Sequence, residues 1–149
     1  MLLKLLPDQS TKYWDSIKSA LLASPPPASE WTSESLNNVL AKLIDGTMQC
    51  WISYKRSERG SIVEGIVLTT PIVDLCSNTR NLLIYCIHTY DSAEMRTWTE
   101  GAEALLKYAR SLGCSYIIGY SMSEDWKALA ERFGGKTSYM MFKSCREES

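Results

Sequence analysis

Apolar positions along this chain change their period several times. Leu2 to Leu6 is a short apolar run suited to a strand, and from Ser10 to Ala23 the residues Trp14, Ile17 and Leu21 recur at helical spacing. Ser24-Pro-Pro-Pro-Ala ends that helix, because successive prolines remove donors and force an extended path. A second helix is predicted from Ser33, with Leu36, Val39, Leu40, Leu43 and Ile44 inward and Gly46 as its stop. The pattern then turns strand-like over Gln49–Lys55, Ser61–Thr70 and Leu82–Tyr90, with polar turns at Ser57–Ser61 and Cys76–Arg80. Three strands joined by short turns predict an antiparallel meander.

Helical period returns from Arg96 to Leu112, with Trp98, Ala102, Leu105, Leu106 and Ala109 on one face and Gly113 as the cap. Tyr116–Tyr120 reads as a strand covered on both faces. Ser121-Met-Ser-Glu124 matches a capping box for a last helix striped by Trp126, Leu129, Ala130 and Phe133. Gly134-Gly135 stops it, and Thr137–Lys143 reads as a closing strand. Strand, helix and strand between Asn81 and Ser121 form a right-handed crossover that sets two strands parallel. The expected fold class is α/β: a mixed sheet, antiparallel meander plus parallel βαβ unit, with helices on both faces.

Composition narrows the function classes. The 149 residues suit one domain spanning 1–149, and 45% hydrophobic with 22% charged residues is ordinary for a globular protein. Net charge is −1 without a basic block, which points away from nucleic acid; no apolar run is long enough to span a bilayer. Met1–Pro7 is too short for a signal-peptide core. Five cysteines without a C-x-x-C pair read as reduced packing residues of a cytoplasmic protein, and no metal-ligand spacing appears. The five tryptophans are spread over the elements, as core anchors would be.

The chemistry is expected where the crossover helix begins, since its free N–H groups can meet an anion. His88, late in its strand, shares a face with Cys86 and Tyr90 by alternation and is a candidate general base; a histidine satisfied by a neighbour is the competing reading. Glu64, in an apolar strand, is a second candidate base, or a solvent-facing residue opposite Val63 and Gly65. Tyr120 and Ser121 stand at the expected cleft mouth, where they bind substrate or cap the last helix.

The order and lengths of these elements resemble the GNAT family, the Gcn5-related N-acetyltransferases. The strongest matches are the helix–Gly113-Cys-Ser–strand run and the closing Trp126…Leu129-Ala-Glu-Arg-Phe-Gly-Gly; Gln49-Cys-Trp and Tyr108-Ala-Arg-Ser-Leu-Gly-Cys also resemble small GNAT-like proteins of tailed bacteriophages. The resemblance implies acetyl-CoA or another acyl-CoA as donor and an amine acceptor, small molecule or protein. By motif alignment, Arg96-Thr97-Trp98-Thr99-Glu100-Gly101-Ala102 takes the place of the family's pyrophosphate loop, with Thr99 where a glycine is usual. Tyr85, Ile87 and Thr89 fall where the family's strand aligns the pantetheine and thioester. Ala130 stands where the family carries its general-acid tyrosine. Two readings follow: an N-acyltransferase with weakened catalysis, or a non-catalytic relative, such as a phage virion or host-directed protein, working through homo-oligomer or protein–protein contacts.

Overall fold

A computed structural model describes residues 1–90, 94–120, 124–136 and 143–146 of the chain. Its elements run β1 (Leu2–Lys4), α1 (Gln9–Lys12), α2 (Trp14–Ala23), α3 (Ser33–Asp45), β2 (Gln49–Ser57), β3 (Gly60–Asp74), β4 (Thr79–Thr89), α4 (Met95–Ser111), β5 (Tyr116–Gly119) and α5 (Glu124–Arg132). The sheet order is β1-β2-β3-β4-β5, antiparallel through β4 and parallel between β4 and β5. The mixed sheet and crossover are those expected from the apolar periods. The expected closing strand, Thr137–Lys143, lies outside the described residues but for Lys143, and Ser121 lies outside them as well.

Local chemistry explains the helix ends. Thr32 and Ser35 form a reciprocal capping box at the start of α3, and Gly46 closes it in the left-handed region at φ +83°. Three expectations about the helices need correction. The first helical run is broken at Tyr13 into α1 and α2. Ile44 is exposed, because the buried stripe of α3 narrows to Val39 and Leu43. Ala130 and Phe133 are exposed as well, while Leu129 of α5 is buried.

Two cores sit on opposite faces of the sheet. Ile17, Leu21, Val39 and Leu43 from the N-terminal helices meet Cys50, Ile52, Ile66, Leu68 and Cys86 from the strands. On the other face Leu105 of α4 packs on Trp51 and Val67, flanked by Ile84, Ile87 and Tyr108. Burial pushes the Cys50 and Cys86 thiols up to about 12, so both behave as small apolar residues rather than nucleophiles. A buried polar ladder crosses β2 and β3: the Trp51 indole donates to Thr69 Oγ1 at 3.0 Å, and that hydroxyl donates to Gln49 Oε1 at 3.0 Å. Tyr116 is 68% exposed, so β5 is not the doubly covered strand its apolar sequence predicts.

Two bulges alter strand parity. Ser53 pairs with Gly65 and Tyr54 with Val63, leaving Glu64 as the extra residue of β3. Leu68 pairs with Cys86 and Thr69 with Ile84, leaving Tyr85 as the extra residue of β4. Such insertions kink a strand and re-aim its side chains.

Candidate functional site

The Tyr85 bulge comes directly after the end of the β4–β5 pairing. β5 pairs with β4 only from Asn81 to Ile84, whereas β4 continues to Thr89 on its β3 side. From Tyr85 to Thr89 the opposite edge of β4 therefore has no strand partner among the described residues. An edge of free N–H and C=O groups is a ready template for an extended guest. The Tyr85 side chain turns toward the N-terminal helices, Ile87 toward α4, and Thr89 is exposed.

α4 opens beside this edge in sequence. Its N-cap, Glu94, is extended and makes no side-chain cap, while the Trp98 N–H already reaches the Glu94 carbonyl at 3.3 Å. The amides without a partner among the described residues are thus those of Met95, Arg96 and Thr97. Thr99, Glu100, Gly101 and Ala102, aligned with the phosphate loop by motif, lie inside the helix, and the Thr99 hydroxyl donates back to the Met95 carbonyl at 3.1 Å. Arg96 Nε lies 3.1 Å from Glu100 Oε1, a surface pair in which the arginine side chain is 86% exposed. Such a pair contributes little and is readily exchanged for a stronger anion.

Trp98 does not cover the helix mouth. Its ring lies on Gly65 of β3, where an added Cβ would come within 2.9 Å of Trp98 Cη2, and meets Trp126 of α5 edge-on at 4.7 Å. These two tryptophans form a pair rather than separate anchors. Gly101 is buried against Leu2, and a Cβ there would stand 3.6 Å from Leu2 Cδ2, an ordinary contact. Gly101→Ala is accordingly expected to stabilise the chain by about 0.5–1 kcal/mol, the helix-propensity gain, as read by urea unfolding. A stabilised variant that has lost anion binding would place the phosphates at Gly101 instead of the preceding turn.

His88 sits on the face of β4 that carries Cys86 and Tyr90, as alternation predicts. Its Nδ1 is 2.8 Å from Ser24 Oγ, and Tyr90 meets the ring edge-on at 4.9 Å. The Cys86 thiol donates to the Ser24 carbonyl at 3.3 Å, so Ser24 ties the end of α2 to late β4. Glu64 is 3% exposed and accepts a hydrogen bond from Ser53 Oγ at 3.1 Å; the solvent-facing alternative is corrected by its bulge position. Tyr120 follows β5 and is 36% exposed. His88 and Tyr85 share a face, while Glu64 is held in the β2–β3 pairing.

On that face a cleft of about 530 Å³ opens between the Pro26–Trp31 loop, α3 and the strands, reaching Thr70, Leu83 and Tyr85. Trp31 and Tyr85 meet edge-on at 6.3 Å within it, and burial raises the Tyr85 phenol above its ordinary value. Ser24, Trp31 and Lys42 escape motif reading, since no local pattern links them to β4; the Pro-rich break alone marks the loop.

A scan against protein-family models and a search of curated proteins find no match for the sequence. Solved structures do match. A predicted acetyltransferase with acetyl-CoA from Clostridium acetobutylicum superposes with TM-score 0.67 at 13% identity, covering 97% of this chain and 94% of that one. Glucosamine-6-phosphate N-acetyltransferase from Arabidopsis thaliana gives 0.65 at 14%, covering 98% of each chain. An aminoglycoside acetyltransferase from an uncultured soil metagenomic sample gives 0.65 at 12%, covering 99% and 96%. With the strand order and the parallel β4–β5 unit, these likenesses establish that the chain has the fold of the GNAT acetyltransferases.

Proposed function

We propose that this chain is an acyl-CoA-dependent N-acyltransferase, with acetyl-CoA or another acyl-CoA as donor and an amine as acceptor. The observation that supports the reading is the end of β4–β5 pairing at Ile84, which leaves the later edge of β4 without a strand partner among the described residues, close in sequence to a helix with no side-chain cap from Glu94. Acyl-CoA, when bound, supplies an acyl group activated on sulfur. The residues fit such a donor: the open edge from Tyr85 to Thr89 would hold an extended amide-bearing arm, and the Met95–Thr97 amides with Arg96 would hold phosphate. Trp98, Thr99, Glu100, Gly101 and Ala102 support that turn as the body of its helix.

On the acceptor side, His88 is the base that takes a proton from an ammonium group, with Ser24 fixing its ring. Glu64 serves as a buried acceptor that holds the β3 bulge, and Tyr120 as a substrate contact at the mouth. Ala130 offers no hydroxyl to the departing thiolate, so turnover is expected to be slow.

Acetyl-CoA at a hundredfold excess over its dissociation constant should stabilise the fold by about 2.7 kcal/mol. In a chain of this length that is a rise of roughly 5–10 °C in Tm. No shift at millimolar acetyl-CoA removes the proposal.

A second reading is a non-catalytic GNAT-like protein acting through protein contacts, with the bacteriophage resemblance as its setting. It is favoured by Thr99 and Ala130, and by exposed Ile72, Val73 and Leu75 at the β3–β4 turn, with Leu75 at 92% exposure. Concentration-dependent sedimentation without an acetyl-CoA shift would select it.

A further inference from the structure

We infer that the cleft between the Pro26–Trp31 loop and α3 accepts a planar aromatic monoamine bearing a neutral hydrogen-bond acceptor, and disfavours polycationic amines. This deepens the transferase reading and rests on it for the chemistry, though not for the binding. A cleft of about 530 Å³ is the size of a small-molecule site. Its walls are chiefly apolar, from Pro26, Trp31, Val39, Met48, Leu83 and Tyr85.

Three features set the class. The Trp31 and Tyr85 rings stand at 82° to one another and form a corner, which a third ring can complete by stacking on one and meeting the edge of the other. The Trp31 indole N–H is buried and has no hydrogen-bond partner among the described residues, so a ligand acceptor atom would satisfy it. The charge at the rim is wrong for a polycation. Glu30 is the only carboxylate in the described lining, and Arg146 already engages it at 2.9 Å, while Lys42 adds a positive charge.

Tyr85 is also the bulge residue just past the last β4–β5 pair, so an amine seated in this corner lies next to the strand edge that has no partner among the described residues. A base on the same strand face, His88, completes the requirement for an amine nucleophile.

The test is calorimetric titration of the full chain, without acyl donor, using 4-methoxyphenethylamine, phenethylamine, spermidine and kanamycin. The methoxy compound is expected to bind most tightly. Trp31→Phe, which keeps a ring and removes the N–H, should weaken it about five- to tenfold and leave phenethylamine nearly unchanged. Lys42→Glu, at an exposed position, should strengthen spermidine binding. Spermidine or kanamycin binding the native chain as tightly as the aromatic amines overturns the inference, as does equal weakening of both aromatic amines by Trp31→Phe. The two readings fail separately. Aromatic amine binding without an acetyl-CoA thermal shift removes the transferase and keeps the cleft; a shift without aromatic amine binding does the reverse.

Discussion

Trp98→Ala is expected to lower the stability of the chain by about 3 kcal/mol in urea unfolding, near the low end for truncating a large packed aromatic. The ring is half-buried rather than fully enclosed, which sets the lower end. It fills the space over Gly65 and carries the contact to Trp126, so its loss empties one site and loosens another. Gly65→Ala alone should cost about 1–3 kcal/mol, because the new methyl meets both Trp98 Cη2 at 2.9 Å and the His88 carbonyl at 3.1 Å. The two changes together should cost less than their sum by about 1 kcal/mol, since the truncated ring no longer opposes the methyl. Strict additivity would mean that the ring does not rest on Gly65. The consequence for function is direct. Trp98 is in the first turn of α4, so the loosened variant should also bind acetyl-CoA more weakly.

That contact was not readable from the sequence, where Trp98 appears as one member of an apolar stripe and of the aligned phosphate loop, with nothing to link it to Gly65. Periodicity made the meander, the crossover and the α4 core face legible, because each depends on spacing within one element. Leu105 and Ala109 are buried as the period requires. What it missed depends on insertion and on distance. One extra residue at Glu64, and another at Tyr85, breaks the alternation that a sequence reader extends through the strand. Glu64 consequently bonds Ser53 within the sheet instead of facing water. The α4 boundary, by contrast, was legible: the period starts the helix at Arg96 and it begins at Met95, with the Arg96–Glu100 i,i+4 spacing realised as a pair. The cleft was legible only as a Pro-rich interruption. Its floor comes from β3 and β4, and no local pattern connects Trp31 to Tyr85.

His88→Ala should reduce kcat for amine acetylation by about 10²–10⁴-fold while leaving acetyl-CoA affinity unchanged. The argument starts from its neighbours. Ser24 Oγ engages Nδ1 at 2.8 Å, which fixes the ring and leaves Nε2 as the nitrogen able to exchange a proton with substrate. Ser24→Ala removes that restraint but no proton carrier, so its effect on kcat should be smaller, about fivefold, the worth of one hydrogen bond. A merely structural His88 predicts another ranking. In that case both variants lose stability through the α2–β4 tie, Cys86 still donates to the Ser24 carbonyl, and kcat per folded molecule stays level. His88→Gln separates the two cases, since it keeps a hydrogen-bonding side chain but cannot act as a base. Stability restored with kcat still low assigns proton transfer to His88; recovery of both leaves it as a brace and moves the search for the base elsewhere on the β4 face.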